Sequence, residues 1–297
     1  MLPDLAARIE RAFPDIGRVR PLAEIGRGFR SVAYETPGGY VVRVGRSAEA
    51  AADYEKERRI GPWLAAQLGG IVPGPRWSAP ASEGMPYGAV AYRKLEGAPP
   101  RWGRDPGSAV ARDLGAFMAK LHALSAEEAL DSGVPEVDAY ERMLGARAAV
   151  EPVLRERLTQ ARFERVDAWW REFAADQQMR AARRAVCHHD LWHDNLLVSD
   201  GRLAGVLNLA HVEIADPAHD FAAPRYFGDA FMRTLVAAYR AAGGVFDEGM
   251  AHRAQRYWEA REFGGLAWAI EHHDAAEVIA ALDKIARGPL FRPARRG

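Results

Sequence analysis

The stretch AVCHHDLWHDNLLV, from Ala185 to Val198, constrains this chain more than any other part of its sequence. Three histidines, two aspartates and an asparagine fall within residues 188–195. Directly after them, NLLVSDGRLAGV sets two apolar segments around Asp200-Gly201, a pair typical of the tight turn of a β-hairpin. We therefore expect the polar cluster on a loop that the following hairpin stiffens.

The first third of the chain is rich in β-forming residues. Two such segments, residues 31–35 and 40–44, are joined by TPGG, which predicts a hairpin. The segments IVPGPRW and YGAVAYRKLEG predict further strands. Between them, AEAAADYEKERRIGPWLAAQLG has helical composition, and Gly61-Pro62 should kink or end that helix.

Helices dominate from Asp105 onward. In AVARDLGAFMAKLHAL the apolar residues recur at spacings of three and four, as on the buried face of a helix. Further helical stretches are predicted at residues 138–182 and 228–286, after a short amphipathic helix at residues 2–13. The layout predicts a two-lobed α+β fold, with a β-rich N-lobe at residues 1–96 and a mainly helical C-lobe at residues 97–297.

Composition excludes several classes of protein. The 297 residues include 40 basic and 40 acidic side chains, so no net charge attracts the chain to nucleic acid or to an anionic membrane. Neither a signal peptide nor an apolar run of membrane-spanning length is evident. Cys187 is the only cysteine, which excludes intramolecular disulfides and cysteine-rich zinc sites. We expect a cytoplasmic protein, monomeric or weakly dimeric.

A transition-metal site is one interpretation of the polar cluster. His189 and His193 would share one face of a helix at positions i and i+4. However, the stretch adjoins a predicted hairpin, and the glutamate of the zinc protease motif is absent between the two histidines. This hypothesis requires a tightly bound zinc or manganese ion.

The spacing also matches the catalytic loop of a kinase. His188, Asp190 and Asn195 give the order H-x-D-L-x-x-x-N. In such a loop the aspartate accepts the proton of an attacking hydroxyl, and the asparagine reaches a magnesium ion held by phosphates. A third interpretation, a hydrogen-bonded network that only joins the loop to the core, stays open on the motif alone.

A series of segments covering nearly the whole chain resembles the aminoglycoside phosphotransferase family of small-molecule kinases. In order, they are EIGRGFRSVAYE, YVVRVGR, YEKERRIGPWL, AYRKLEGAPP, DLGAFMAKLHAL, CHHDLWHDNLLV and GRLAGVLNLAHVEIADPAHDFA. The resemblance implies a protein-kinase-like fold. It also implies transfer of the γ-phosphoryl group of ATP or GTP, with Mg²⁺, to a hydroxyl of a small polar molecule such as an aminoglycoside or a similar antibiotic or sugar.

The resemblance assigns roles within the loop and the N-lobe. Asp190 would orient and deprotonate the acceptor hydroxyl, Asn195 would bind magnesium, and His188 would brace the loop. Arg43 would contact the α- and β-phosphates, paired with Glu57, or alternatively with Glu55. The remaining nucleotide contacts would come from the hairpin tip at Ser31, with Phe29 and Arg30, and from backbone groups around Arg93 and Leu95.

The sequence departs from the family pattern at Asn208. There the family has the aspartate of G-V-I-D, the second magnesium ligand, whereas this chain has Gly205-Val206-Leu207-Asn208. Magnesium sites commonly use one or two carboxylates, and Asn195 and Asn208 bring no formal charge. The chain is therefore either a weakened kinase, a kinase with a rebuilt site that uses Asp216 or Asp194, or a catalytically silent pseudokinase that binds a nucleotide or metabolite.

The acceptor is expected between Asp190 and the helical C-lobe. Trp192 is next to the base in sequence and is a candidate for the acceptor wall. The segment RYWEAREFGGLAWAIEHHD adds Trp258, Glu259, Glu262, Trp268 and Glu271. An acidic and aromatic surface would bind a cationic amino sugar, so these residues are the predicted acceptor contacts.

Overall fold

An antiparallel five-stranded sheet forms the first part of the fold. The structure is a computed structural model that describes residues 2–180 and 182–291. The elements of this part are α1 (Leu2–Ala12), β1 (Ala23–Arg27), β2 (Ser31–Glu35), β3 (Tyr40–Gly45), α2 (Ala48–Leu68), β4 (Trp77–Ala79) and β5 (Ala89–Arg93). The strand order is β1-β2-β3-β5-β4, and every pair is antiparallel. The predicted hairpin of residues 31–44 is therefore confirmed as β2 and β3.

Helices form most of the second part. They are α3 (Ser108–His122), α4 (Ala126–Asp131), α5 (Ala139–Arg157), α6 (Gln160–Ala175), α7 (Gln177–Arg180), α8 (Asp229–Ala241), α9 (Glu248–Glu271) and α10 (Ala275–Arg287). Each of the two long helical stretches predicted from composition is therefore divided into several helices. The first is interrupted at Leu158-Thr159, among other places, and the second in the loop 242–247, among other places. Within the described ranges, no helix has the length and hydropathy needed to cross a membrane.

Two short strand pairs frame the polar loop. β7 (Leu196–Ser199) and β8 (Arg202–Val206) form the predicted hairpin, with Asp200 and Gly201 both in the left-handed region at φ 50° and 70°. β6 (Ala185–Cys187) pairs with β9 (Glu213–Ala215), a pair that the sequence did not reveal. The polar residues 188–195 therefore leave one strand pair and enter the other, which fixes both ends of the loop.

The expectation that the helix could end at Gly61-Pro62 is wrong, because α2 continues through Pro62 to Leu68. Ile60, Leu64 and Leu68 are buried on one face of α2, in the same core cluster as α3. Gly61 also permits a close contact, since a Cβ atom there would lie 2.5 Å from Pro75 Cδ. Burial of this face outweighs the one backbone hydrogen bond that a helical proline removes.

The larger core includes a close contact between α3 and α8. Gly115 makes this possible, because a Cβ atom at that position would lie 2.4 Å from the carbonyl oxygen of Leu235. The C-terminal end of α3 brings His122 next to Tyr239 of α8, inside the core. A polar network can therefore pass from the helical core to the loop after β6.

Candidate active site

A cleft of about 730 Å³ lies between the N-terminal sheet and the loop after β6. The sheet side contributes the β1–β2 hairpin, including Phe29, Arg30 and Ser31, and Arg43 of β3. The opposite side contributes Asn195, Leu207, Asn208 and Trp268. Several residues predicted from separate motifs thus border one cavity.

The three polar residues singled out in the loop and at the end of β8 meet directly. Asn195 Nδ2 donates to Asp190 Oδ2 at 2.7 Å and to the Asp190 carbonyl at 2.8 Å. Asn208 Nδ2 donates to the same carboxylate oxygen at 3.3 Å. Asn208 is in the left-handed region at φ 68°, a conformation that asparagine adopts more readily than most residues. Asp190 therefore stands between two amides at the edge of the cleft.

His188 braces this loop from inside and is only 1% exposed. Its Nδ1 accepts a hydrogen bond from the backbone N–H of Asp190 at 3.2 Å, and its Nε2 lies 2.8 Å from the Leu207 carbonyl. Burial lowers the pKa of His188, which favours the neutral ring that these two bonds require. His188 is a positioning residue, because its contacts are to backbone and it is closed off from the cleft.

Asp220 holds the backbone of the loop. Its carboxylate accepts from the N–H groups of His188 and His189 at 2.8 and 2.7 Å, and it lies 3.1 Å from His122 Nε2. His122 Nδ1 in turn lies 3.0 Å from the Tyr239 hydroxyl. Burial acts to raise the pKa of Asp220, but the bond to His122 and the nearby histidines hold it well below its usual range. Sequence reasoning missed His122, whose only signal is its place in the segment AKLHAL.

The side chain of His189 is buried, with 5% of it exposed. Its backbone is left-handed at φ 65°, and its ring stacks on His219 with centroids 4.3 Å apart. His193 packs on Trp192, with centroids 4.8 Å apart. Because residues 188–192 form no helix, His189 and His193 do not share a helix face, and the motif basis of the metal-protease hypothesis is absent.

Arg43 and Glu57 form an ion pair on the sheet side of the cleft. Arg43 Nη1 donates to Glu57 Oε1 at 2.6 Å, and the side chains are 16% and 4% exposed. Burial alone would lower the pKa of Arg43, but the charge of Glu57 raises it above its ordinary value. Glu55 instead pairs with Arg58 at 2.6 Å on the exposed face of α2. The helix spacing therefore identified the partner of Arg43 as Glu57.

The hinge residues divide between the cleft and the sheet. Leu95 lines the cleft together with its neighbour Lys94 and with Gly97. Arg93 instead ends β5, where it is paired with Tyr40, and its guanidinium lies 5.5 Å from the Tyr40 ring centroid. Leu95 therefore borders the cleft, whereas the Arg93 side chain packs on Tyr40.

The amide oxygens of Asn195 and Asn208 are of the ligand type that magnesium binds, but they carry no formal charge. Asn195 and Asn208 both direct Nδ2 at Asp190, which leaves each Oδ1 pointing away from that carboxylate. Magnesium prefers oxygen ligands, and two amide oxygens with phosphate oxygens form an acceptable set. Asp216 is excluded as a replacement ligand because it is buried and accepts from Arg253 Nε at 2.9 Å. Asp194 borders the cleft with a side chain that is 68% exposed.

The predicted acidic wall for the acceptor does not form as one surface. Glu259 accepts from Trp169 Nε1 at 2.8 Å and from Gln255 Nε2 at 3.0 Å, so it is bound within the helical lobe. Glu262 accepts from the Tyr226 hydroxyl. Glu271 is exposed at the end of α9. Trp268 borders the cleft, where its ring meets Phe29 edge-on with centroids 4.7 Å apart.

An aromatic wall that includes Trp192, two residues after Asp190, forms in place of the predicted acidic surface. We use this name for Trp102, Trp192, Tyr226 and Trp258, whose neighbouring rings have centroids 4.2 to 5.2 Å apart. Trp192 and Trp258 were predicted as acceptor contacts, whereas Trp102 and Tyr226 were missed. Trp102 lies in a loop without a recognisable motif, so no sequence signal connects it with the catalytic loop.

Comparison with known proteins agrees with this arrangement. Residues 19–263 match the model of the phosphotransferase enzyme family. The viomycin phosphotransferase of Streptomyces vinaceus is 31% identical over 202 residues, which are 63% of this chain and 67% of that protein. The GDP complex of a wild-type aminoglycoside 2'-phosphotransferase of type IIIa is similar with a TM-score of 0.82 and 22% identity, over 96% of this chain and 97% of the other.

A macrolide 2'-phosphotransferase from Brachybacterium faecium is similar as well. Its TM-score is 0.71 at 27% identity, and the match covers 99% of this chain and 98% of that one. The kinase-like two-lobed α+β fold predicted from the segment order is therefore confirmed. Because the family model spans more than half of the residues, the chain is a kinase-type phosphotransferase and belongs to the phosphotransferase enzyme family.

Proposed function

We propose that this protein transfers the γ-phosphoryl group of ATP or GTP to a hydroxyl of a small molecule. The observation that carries the proposal is the contact between Asp190 and Asn195 at 2.7 Å, at the edge of a cleft that also contains Arg43. Similar solved structures hold GDP, which supports a nucleotide in this cleft.

In this proposal Asp190 orients the acceptor. Its carboxylate would accept the hydrogen of the attacking hydroxyl, while Arg43, held by Glu57, would bind phosphate oxygens with its guanidinium. The transition state of phosphoryl transfer is loose, so alignment of the hydroxyl contributes more than removal of its proton. The buried bonds from Asp220 and His188 supply this alignment, because they fix the backbone on both sides of residue 189.

Asn208 should lower the rate of phosphoryl transfer. Mg²⁺ supplies positive charge to the transferring phosphoryl group, and Asn195 and Asn208 would hold it through amide oxygens. An amide replaces a carboxylate at Asn208, which weakens the hold on the ion. We expect a loss of about two to four orders of magnitude in rate, because metal ions contribute several kcal/mol and each ~1.4 kcal/mol is tenfold.

A catalytically silent nucleotide-binding protein is the alternative, and one contact favours it. Asn208 Nδ2 donates to Asp190 Oδ2 at 3.3 Å, and this bond competes with the acceptor hydroxyl for the same oxygen. In a silent protein the bond would persist with nucleotide bound, whereas in an enzyme the incoming hydroxyl replaces it.

Phosphoryl transfer to a panel of hydroxyl compounds separates the two functions. The protein is incubated with ATP or GTP and Mg²⁺, together with viomycin, kanamycin or a macrolide, and products are identified by mass spectrometry. A phosphorylated acceptor supports the enzyme. Calorimetric binding of ATP without any phosphorylated product, in a preparation that is folded, supports the silent binder.

A further inference from the structure

The aromatic wall joins the catalytic loop through Trp192 and groups four aromatic rings there. The ring of Trp192, two residues after Asp190, lies 4.3 Å from Trp102 and 5.2 Å from Tyr226, centroid to centroid. Trp102 is 44% exposed, although exposed tryptophan is costly to solvate. An open aromatic surface next to a reacting group is typical of a ligand-binding wall.

The charged side chains at the aromatic wall, Arg261 and Glu262, neutralise each other. The Arg261 guanidinium lies 4.0 Å from the Trp192 ring centroid and 5.2 Å from that of Tyr226. It thus covers the ring face on which a cationic ligand would lie. Glu262 lies 3.7 Å from Arg261 and also accepts from the Tyr226 hydroxyl, so its negative charge is neutralised within the wall. A ligand with several positive charges would find little to attract it here.

The helix beside the wall leaves an open space. Arg261, Gly265 and Trp268 follow one face of α9 at positions i, i+4 and i+7. Arg261 lies at the aromatic wall, and Trp268 borders the nucleotide cleft, so Gly265 is between the two. A Cβ atom at Gly264 or Gly265 would meet nothing within 4 Å. Two consecutive glycines inside a helix are unfavourable, so their place above open space needs a reason.

We propose that the aromatic wall and Gly264-Gly265 form a trough that binds the acceptor by stacking. The acceptor class is a molecule with a flat or apolar face next to its reacting hydroxyl and with at most one positive charge. A polycationic amino sugar does not fit this description. The trough as a binding site does not depend on the proposed phosphoryl transfer. That the molecule bound there is the phosphoryl acceptor does rest on the proposed function.

The trough is tested by measuring the binding of two candidate acceptors in the absence of phosphoryl transfer. Isothermal titration calorimetry compares erythromycin, a macrolide with one amine, and kanamycin, which has several. We expect erythromycin to bind at least about tenfold more tightly, and Trp102→Ala to weaken its binding about tenfold, as for an aromatic anchor that the ligand covers. The series Gly265→Ala, Gly265→Val and Gly265→Phe should reduce erythromycin binding progressively.

A matched control separates filling of the trough from a general effect of bulk. Ala276 is exposed on α10, so Ala276→Phe adds the same side chain outside the trough and should leave binding unchanged. Thermal stabilisation by ATP shows that each variant is folded. Equal affinity for kanamycin, no response to Gly265→Phe, or no binding of either probe would overturn the trough. Absence of phosphorylated product while erythromycin binds would instead count against the proposed function alone.

Discussion

The Arg43–Glu57 pair and the aromatic wall hold their side chains by different means. On the proposed phosphate side, Arg43 depends on one short ion pair with Glu57, which is almost fully buried. At the proposed acceptor site, the aromatic wall spreads its contacts over several rings and over the Arg261–Glu262 pair. We therefore expect a single substitution at Asp190, Arg43 or Glu57 to cause a large loss of activity or stability. A single substitution in the aromatic wall should cause a smaller, graded loss of acceptor binding.

Removal of the Asp190 charge should give the largest effect. Asp190→Asn keeps the shape of the side chain but loses the group that accepts the hydroxyl proton, so kcat should fall by about 10²–10⁴. The KM for ATP should stay within about twofold, because Asp190 orients the acceptor and not the nucleotide. Steady-state kinetics with the best acceptor measures both, and an unchanged kcat would remove Asp190 from the reaction.

The buried ion pair should give the next effect. Arg43→Ala leaves the Glu57 carboxylate buried without its partner, and we expect the free energy of unfolding to fall by about 3–5 kcal/mol. Arg43→Met combined with Glu57→Leu should recover most of that stability, because apolar pairs often replace buried ion pairs without loss. Nucleotide binding should stay impaired in both variants. Urea denaturation with ATP titration measures this, and recovered binding in the double variant would contradict the phosphate role of Arg43.

The helical lobe should also be sensitive to acid. Burial lowers the pKa of His189 to about 4 and that of His219 to about 3, from 6.5. Below pH 6.5 the unfolded chain therefore binds protons that the folded chain does not. The free energy of unfolding should fall between pH 6.5 and about pH 4, with a slope of up to about 1.4 kcal/mol per pH unit for each histidine.

A variant of His189 isolates this effect. His189→Asn removes one titrating ring, and asparagine tolerates the left-handed backbone at this position. Urea denaturation at several pH values should then show a shallower decline than in the wild-type protein. The same slope in both proteins would mean that other groups cause the acid sensitivity.

The smallest effect is expected at the glycines of α9. Gly264→Ala should raise the free energy of unfolding by about 0.5–1 kcal/mol, because alanine is the better helix former and its Cβ meets no atom within 4 Å. Thermal denaturation monitored by circular dichroism measures the gain. A loss of stability would show that the space above α9 is not open.

The parts that sequence could predict are those set by short-range spacing. The β2–β3 hairpin follows from TPGG, and Glu57 as the partner of Arg43 follows from its place one helical turn before Ile60. The contact between Asp190 and Asn195 likewise joins two residues five positions apart in one loop. In each case the chain has few ways to arrange the residues, so the pattern indicates the geometry.

The parts that it could not predict depend on residues far apart in the chain. Trp102 and Trp192 are 90 positions apart yet lie 4.3 Å from one another, and nothing local to either residue shows it. Glu259 was expected at the acceptor but bonds Trp169 of α6, because helix packing and not spacing decides which face of α9 meets solvent. The passage of α2 through Pro62 also results from tertiary burial that overrides a local preference.

The central claim is that Asp190 and Asn195 face a bound triphosphate and that Asn208 alone weakens the site. Its most direct test is the rate of γ-phosphoryl transfer by Asn208→Asp, with Asn208→Ala as the matched control. We predict at least a roughly tenfold gain in kcat for the aspartate, from restored attraction to Mg²⁺, and no gain for the alanine. An aspartate variant no faster than the wild-type protein, with ATP and Mg²⁺ saturating, would contradict the claim.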